Sequence, residues 1–246
     1  MILSKNDIET LAIGVMQDFN SFFWNSENGP YSSPQFTPID QFAVDYLGLD
    51  VTFEHLSADG SICGLTAYAD TEYLLSDGSI ERRIPLRQNQ VILEEKFIEP
   101  RHIKQLCGRR RFTLAHECAH QILFQLESDE SKTACRKMYA ERSSYSPHEL
   151  KTREDWNEWQ ANALGAAIMM PMKEVETFMK SFHIRRKLKC FDGHSGGIDE
   201  RIPEIMCEFF GVSKSAMKIR LINLGYAERL VTPHLCDYQE MKICAE

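Results

Sequence analysis

The chain has 246 residues, 28 basic and 36 acidic side chains giving a formal net charge of −8, and 43% hydrophobic residues. This suits one well-packed domain with a smaller appendage, excludes a disordered or fibrous chain, and argues against coating nucleic acid or anionic membrane as its main task. No apolar run approaches the ~18–20 residues of a membrane span, and Asp7 and Glu9 fall where a signal peptide would carry its apolar stretch. A cytoplasmic protein is expected.

In chain order, residues 4–23 read as an amphipathic helix with Ser4 as cap, placing Ile8, Leu11, Ala12, Val15, Met16 and Phe19 on one face. Asn25 to Pro34 is a loop. A second helix starts with Thr37 as cap and Pro38 in its first turn, and Gly48 ends it. Short β-like stretches follow at Val51–His55, Cys63–Ala69, Thr71–Leu75, Glu81–Leu86 and Gln90–Glu95, with Ser76-Asp77-Gly78 as a hairpin turn. The first hundred residues thus predict two helices and a small antiparallel sheet.

From Pro100 the period is mostly helical. Residues 126–157 are polar and charge-dense, a surface excursion between two better-defined helices. The second of these runs from about Trp156 to Met170 and stops at Pro171. Two short helices, Ile202–Phe210 and Ser213–Leu224, close the chain with Gly211-Val212 between them. The predicted fold class is α+β, with domains at 1–180 and 181–246. The eight cysteines are scattered without a C-x-x-C spacing, so reduced thiols are expected.

Chemistry concentrates in Arg111-Phe-Thr-Leu-Ala-His116-Glu117-Cys118-Ala119-His120, which contains H-E-x-x-H. On a helix His116 and His120 lie ~40° apart, one turn above the other. Two imidazoles placed so can take two corners of one tetrahedral zinc, while Glu117 flanks them as a general base should. Cys118 points to the opposite side and reads as packing. The pattern alone is moderately specific, since an amphipathic helix with two solvated histidines would match it; the apolar flanks Phe112, Leu114, Ala115, Ile122 and Leu123 speak against that.

Zinc needs a third protein ligand and an open fourth position. The metzincin continuation would place Gly at 123 and His at 126, and both are Leu. Downstream candidates are His148, Glu154, Asp155, Glu158, Glu174 and Glu176. Glu158 is best placed, because it opens a helix whose Ala161, Ala163, Gly165, Ala166 and Ala167 permit close approach to the histidine helix. Asn162, one turn on, could hydrogen-bond a ligand.

Arg111-Phe-Thr-Leu-Ala-His-Glu, followed by E-x-x-A-N-x-x-x-A-A-x-x-M-P from Glu158 to Pro171, resembles the ImmA/IrrE family of bacterial metallo-endopeptidases. The likeness covers roughly residues 37–171 and extends to Phe209–Gly225. It implies a zincin-like fold and one Zn2+ per chain held by His116, His120 and Glu158, with Glu117 as base. It also implies a protein substrate, typically a helix-turn-helix repressor. Departures are Cys118, Gln160 and the long insert between the metal helices, which leaves the cleft's shape open. A second oxyanion donor is not identified; Tyr139, Tyr145, His148 and Arg110 are candidates.

Other signals are weaker. Gly193-His-Ser195-Gly-Gly197 matches a nucleophile elbow formally, but Arg185–Asp192 reads as too basic for the preceding strand, and 49 residues follow where an Asp and a His are needed. A glycine-rich hinge is expected. The last helix carries Lys214, Lys218 and Arg220, the minimum for phosphate contact, but Asp199, Glu200, Glu204 and Glu208 precede it and direct nucleic-acid binding is not expected. Arg109-Arg-Arg111 and Arg185-Arg-Lys187 read as solvated faces, or for the first as orienting residues near the metal helix. The competing function is a non-proteolytic metal-binding regulator that grips a repressor or DNA through its C-terminal helices, in which Glu117 would be dispensable.

Overall fold

The computed structural model describes residues 2–25, 36–57, 59–77, 80–133, 154–184, 186–191 and 198–230, and its fold is α+β and zincin-like. The Asn25–Pro34 loop beyond Asn25, the hairpin tip at Gly78, most of the 126–157 insert and Gly193–Gly197 lie outside the described residues. The chain divides into two units, Met1–Met172 with Phe210–Val212, and Lys173–Phe209 with Ser213–Glu246.

In the first unit, α1 (Lys5–Asn25) is capped by Ser4: the Asp7 amide donates to Ser4 Oγ at 3.2 Å and the Ser4 amide donates back to Asp7 Oδ2 at 3.0 Å. Its buried stripe of Ile8, Ala12, Met16, Phe19 and Phe23 faces the interior. Phe19 packs edge-on against Phe42 at 5.0 Å and Tyr46 at 5.4 Å. The second predicted helix is a short α2 (Ile39–Gln41) running into a π-helical turn, Phe42–Tyr46. Thr37 does not cap it. Its hydroxyl donates to the Ile168 carbonyl at 2.8 Å, a long-range contact that helix-start patterning cannot distinguish from a cap.

The expectation of an antiparallel sheet needs correction. Strands β1 (Asp50–Glu54), β2 (Gly64–Thr66) and β5 (Gln90–Glu94) form one mixed sheet in the order β1-β5-β2, with β1 parallel to β5 and β2 antiparallel to it. Strands β3 (Thr71–Asp77) and β4 (Ile80–Leu86) pair, among the described residues, only with each other. Everything between β1 and β5 acts as a crossover, and hydropathy alternation is blind to strand direction. Leu65, Ala67 and Ile92 turn one face of the mixed sheet to Leu75, Ile84 and Leu86 of the hairpin. Gly64 and Thr66, on the alternate side of β2, turn to α3 (Ile103–Gln125).

Helix α3 packs on α4 (Glu154–Met169), which stops before Pro171. A Cβ on Gly165 would lie 3.2 Å from the Ala115 carbonyl carbon and oxygen and from His116 Cα, so glycine sets how closely the two helix axes approach. Gly165→Ala must push backbone against backbone and is expected to cost about 1–3 kcal/mol. Urea denaturation checks this; an unchanged midpoint would show that α4 retreats freely.

The second unit holds α5 (Met172–Ser181) from Lys173 on, α6 (Ile198–Phe210) up to Phe209, α7 (Lys214–Asn223) and a parallel pair, β6 (Leu188–Phe191) with β7 (Ala227–Leu230). The pair adds strands to a second half expected to be mostly helical, and corrects the reading of Arg185–Asp192 as too basic for a strand. Leu188 and Cys190 are buried while Lys189 is exposed, so the lysine occupies the solvent face of a period-two pattern. Ser213 caps α7 by accepting from the Ala216 amide at 3.1 Å. Among the described residues no helix is long and apolar enough to cross a membrane.

Candidate metal centre

Two neighbouring helices bring the key side chains together. His116 and His120 stand one turn apart on α3, with Nε2 atoms 3.0 Å from each other. Glu158, in the second turn of α4, places Oε2 at 3.2 Å from His116 Nε2 and Oε1 at 3.1 Å from His120 Nε2. These separations come close to the edges of a tetrahedron around zinc, about 3.3 Å for ligand bonds of 2.0–2.1 Å. The donor set of two imidazole nitrogens and one carboxylate also suits that ion, and Glu158, 55% exposed, leaves one side open to solvent. His116 Nδ1 is buried without a hydrogen-bond partner, while Nε2 is the nitrogen that faces the other donors.

The electrostatics follow from this convergence. Burial disfavours a charged His116, but the hydrogen bond to Glu158 and the charges of Glu117 and Glu158 outweigh it, and its pKa is raised. Burial pushes Glu158 up, yet hydrogen bonds and charge from His116 and His120 hold its carboxyl far below the usual range. Glu117 is 5% exposed, and burial raises its pKa against the opposing pull of His120 and His116. A buried carboxylate with raised proton affinity beside a candidate metal site is the arrangement a general base requires. Cys118 is fully buried, and burial pushes its thiol pKa upward.

Of the Arg109-Arg-Arg111 run, Arg109 is exposed, while Arg110 and Arg111 are clamps, the second of the two readings offered for it. Arg110 makes a bidentate pair with Asp40 at 2.7 and 2.8 Å, which occupies the guanidinium offered as an oxyanion donor. Arg111 is buried, donates to the Thr37 carbonyl at 2.7 Å and to the Gly211 carbonyl at 3.1 Å, and stacks over Phe36. Gly211 has φ of 63°, and a Cβ there would meet Arg111 Nε at 3.0 Å, so glycine serves both the turn and the contact.

Of the other candidates, Tyr139, Tyr145 and His148 lie outside the described residues, as do the side chains of Glu154 and Asp155. Glu176 pairs with Lys180 on α5, and Glu174 is exposed there. Asn162 acts only weakly on His116. Among the described residues, one other group of potential ligands gathers: His55 Nδ1 lies 3.4 Å from Glu94 and 3.9 Å from Glu95. One residue escaped the sequence reading altogether. A Cβ on Gly64 would fall 2.7 Å from Glu117 Oε1 and 2.7 Å from Thr113 Cγ2, so Glu117 lies directly over a glycine of β2.

Residues 107–221, which carry both helices of the site, match the peptidase family model described as the IrrE N-terminal-like domain. The chain carries an IrrE N-terminal-like peptidase domain. No curated protein matches it. The match makes residues 107–221 a peptidase-type domain whose candidate metal ligands stand within reach of one another.

A pH dependence follows for this site. In the metal-free protein His116, with its pKa raised, holds a proton to higher pH than a free imidazole, and Glu158, with its pKa depressed, holds none. A metal must displace that proton, so uptake should release it, and affinity should weaken as pH falls through the His116 pKa. The pair's stabilisation of the metal-free fold runs between two limits: the His116 part is lost as pH rises through its folded pKa, the Glu158 part as pH falls through its own. Zinc titration calorimetry in buffers of differing ionisation enthalpy counts the proton; no release near pH 6.5 would contradict the assignment.

Proposed function

We propose that the chain is a zinc-dependent endopeptidase of the cytoplasm that cleaves a regulatory protein, a helix-turn-helix repressor in the first instance. The observation that carries this is Glu117, buried beside the convergent His116, His120 and Glu158 donors. One Zn2+ per chain would be held by those three side chains, supplying a Lewis acid that lowers the pKa of water toward 7 and polarises a carbonyl oxygen. Glu117 accepts the water proton as the scissile carbon is attacked and returns it to the leaving amine. Its burial strengthens that proton affinity. The free edge of β2 offers backbone groups along which an extended substrate segment can add as a strand. The five described cysteines are free thiols, in keeping with a reducing compartment.

The binding-only alternative gains little from its DNA form. Lys214 is engaged by Glu200 and Glu204, Lys218 pairs with Glu200 at 2.9 Å, and Arg220 is buried. The two lysines that would meet phosphates are committed to carboxylates of α6, and the arginine is buried. The test is a comparison of new protein N-termini in bacterial cells expressing wild type or Glu117→Gln. Metal-dependent termini within a helix-turn-helix protein, present only with wild type, are expected. Identical termini in both would overturn the peptidase reading.

A further inference from the structure

Four side chains of α3, spaced four residues apart, run along the segment that contains β2. Arg109 Nη2 lies 2.9 Å from Cys63 Sγ, Thr113 and Glu117 pack over Gly64, and Gln121 reaches the strand's far end. The stripe spans ~18 Å of helix. Gln121 is 4% exposed and spends both amide protons on this contact: Nε2 donates to Thr66 Oγ1 at 2.6 Å and to the Ala67 carbonyl at 3.1 Å. The carbonyl accepts only, so it dictates which way the amide faces.

The strand has two inequivalent edges. The Cys63 carbonyl and the Ala67 amide bond to β5, and antiparallel alternation then turns the backbone groups of Gly64 and Thr66 outward. Among the described residues no strand covers that side. The residues whose backbone is free are therefore the two that α3 grips, one through Glu117 and the other through Gln121. A three-residue edge strand has little intrinsic rigidity, and side-chain bonds from the metal helix set its height relative to the base.

We propose that Gln121 is a positioning residue that fixes the free edge of β2 in register beside Glu117, and with it the path of an extended substrate. This rests on the peptidase reading for its consequence in catalysis, but the pin itself is a property of the fold.

The experiment compares zinc-loaded wild type with Gln121→Met, which conserves length and apolar bulk, and with Thr66→Val, which removes one of the two acceptors. The Ala67 carbonyl keeps its bond from the Asn89 amide at 3.0 Å, so the variants should fold. Fluorescein-labelled casein serves as the extended probe, and zinc content and hydrogen exchange are measured alongside. Gln121→Met should raise KM about five- to tenfold with kcat within twofold, leave zinc content unchanged, and speed exchange of the Leu65 and Ala67 amides, which bond to β5, about tenfold, with Thr66→Val intermediate. Unchanged KM with unchanged exchange overturns the proposal, as does a fall in kcat alone, which would assign Gln121 to the reacting centre. Should zinc-loaded wild type leave casein intact, exchange alone decides the pin: acceleration confined to the Leu65 and Ala67 amides upholds it and unchanged protection overturns it, while the peptidase reading is decided by the cellular comparison of Glu117→Gln.

Discussion

Glu117→Gln is expected to abolish cleavage while the protein still folds and still takes up one zinc. The substitution keeps the shape of a side chain that is 5% exposed and packed over Gly64, but removes its ability to accept a proton. General base catalysis contributes roughly 10²–10⁴-fold, and the loss should fall in kcat because the group acts in the transition state. The neighbouring ligands are untouched: their mutual contacts of 3.0–3.2 Å involve His116, His120 and Glu158 alone. Retained zinc with lost turnover separates this account from one in which the site is structural. Full cleavage by the variant would assign the proton transfer to another group.

Gly64→Ala should be nearly as damaging, although Gly64 belongs to no motif and binds no metal. Its new methyl would sit 2.7 Å from both Glu117 Oε1 and Thr113 Cγ2, closer than such contacts occur, and 3.1 Å from Glu117 Cγ. Something must move, and the Glu117 carboxylate is the freer of the two neighbours. We expect cleavage to fall about ten- to a hundredfold with zinc content preserved, since displacement by about 1 Å is enough for losses of this order. Paired metal analysis and turnover measurements check it. Wild-type turnover in Gly64→Ala would mean that Glu117 reaches its working position from elsewhere.

These two residues mark the boundary of what the sequence makes legible. His116, Glu117 and His120 share one helix, so their relation follows from 100° per residue alone. Glu158 was approachable because small residues at Ala161, Gly165 and Ala166 announce a close helix pair, and the structure brings its carboxylate to both imidazoles. Gly64 and Gln121 matter through a strand-to-helix register, which no local pattern encodes. The same reason hid the parallel pairing of β1 with β5 and the use of Thr37 as a partner of Ile168 instead of a cap. Lys189 misled for a different reason, since one solvated charge in an alternating strand resembles a basic loop. Arg110 and Arg111 likewise look like surface charge until Asp40, Thr37 and Gly211 are seen beside them.

Elemental analysis of the purified protein beside His116→Ala and Glu158→Ala tests the central claim most directly. The account predicts about one zinc per chain in wild type and its loss in both variants, because each removes one of three donors around a single point. Zinc retained by Glu158→Ala would discard that ligand, and wild type that takes up no metal even when zinc is supplied would contradict the metal centre itself.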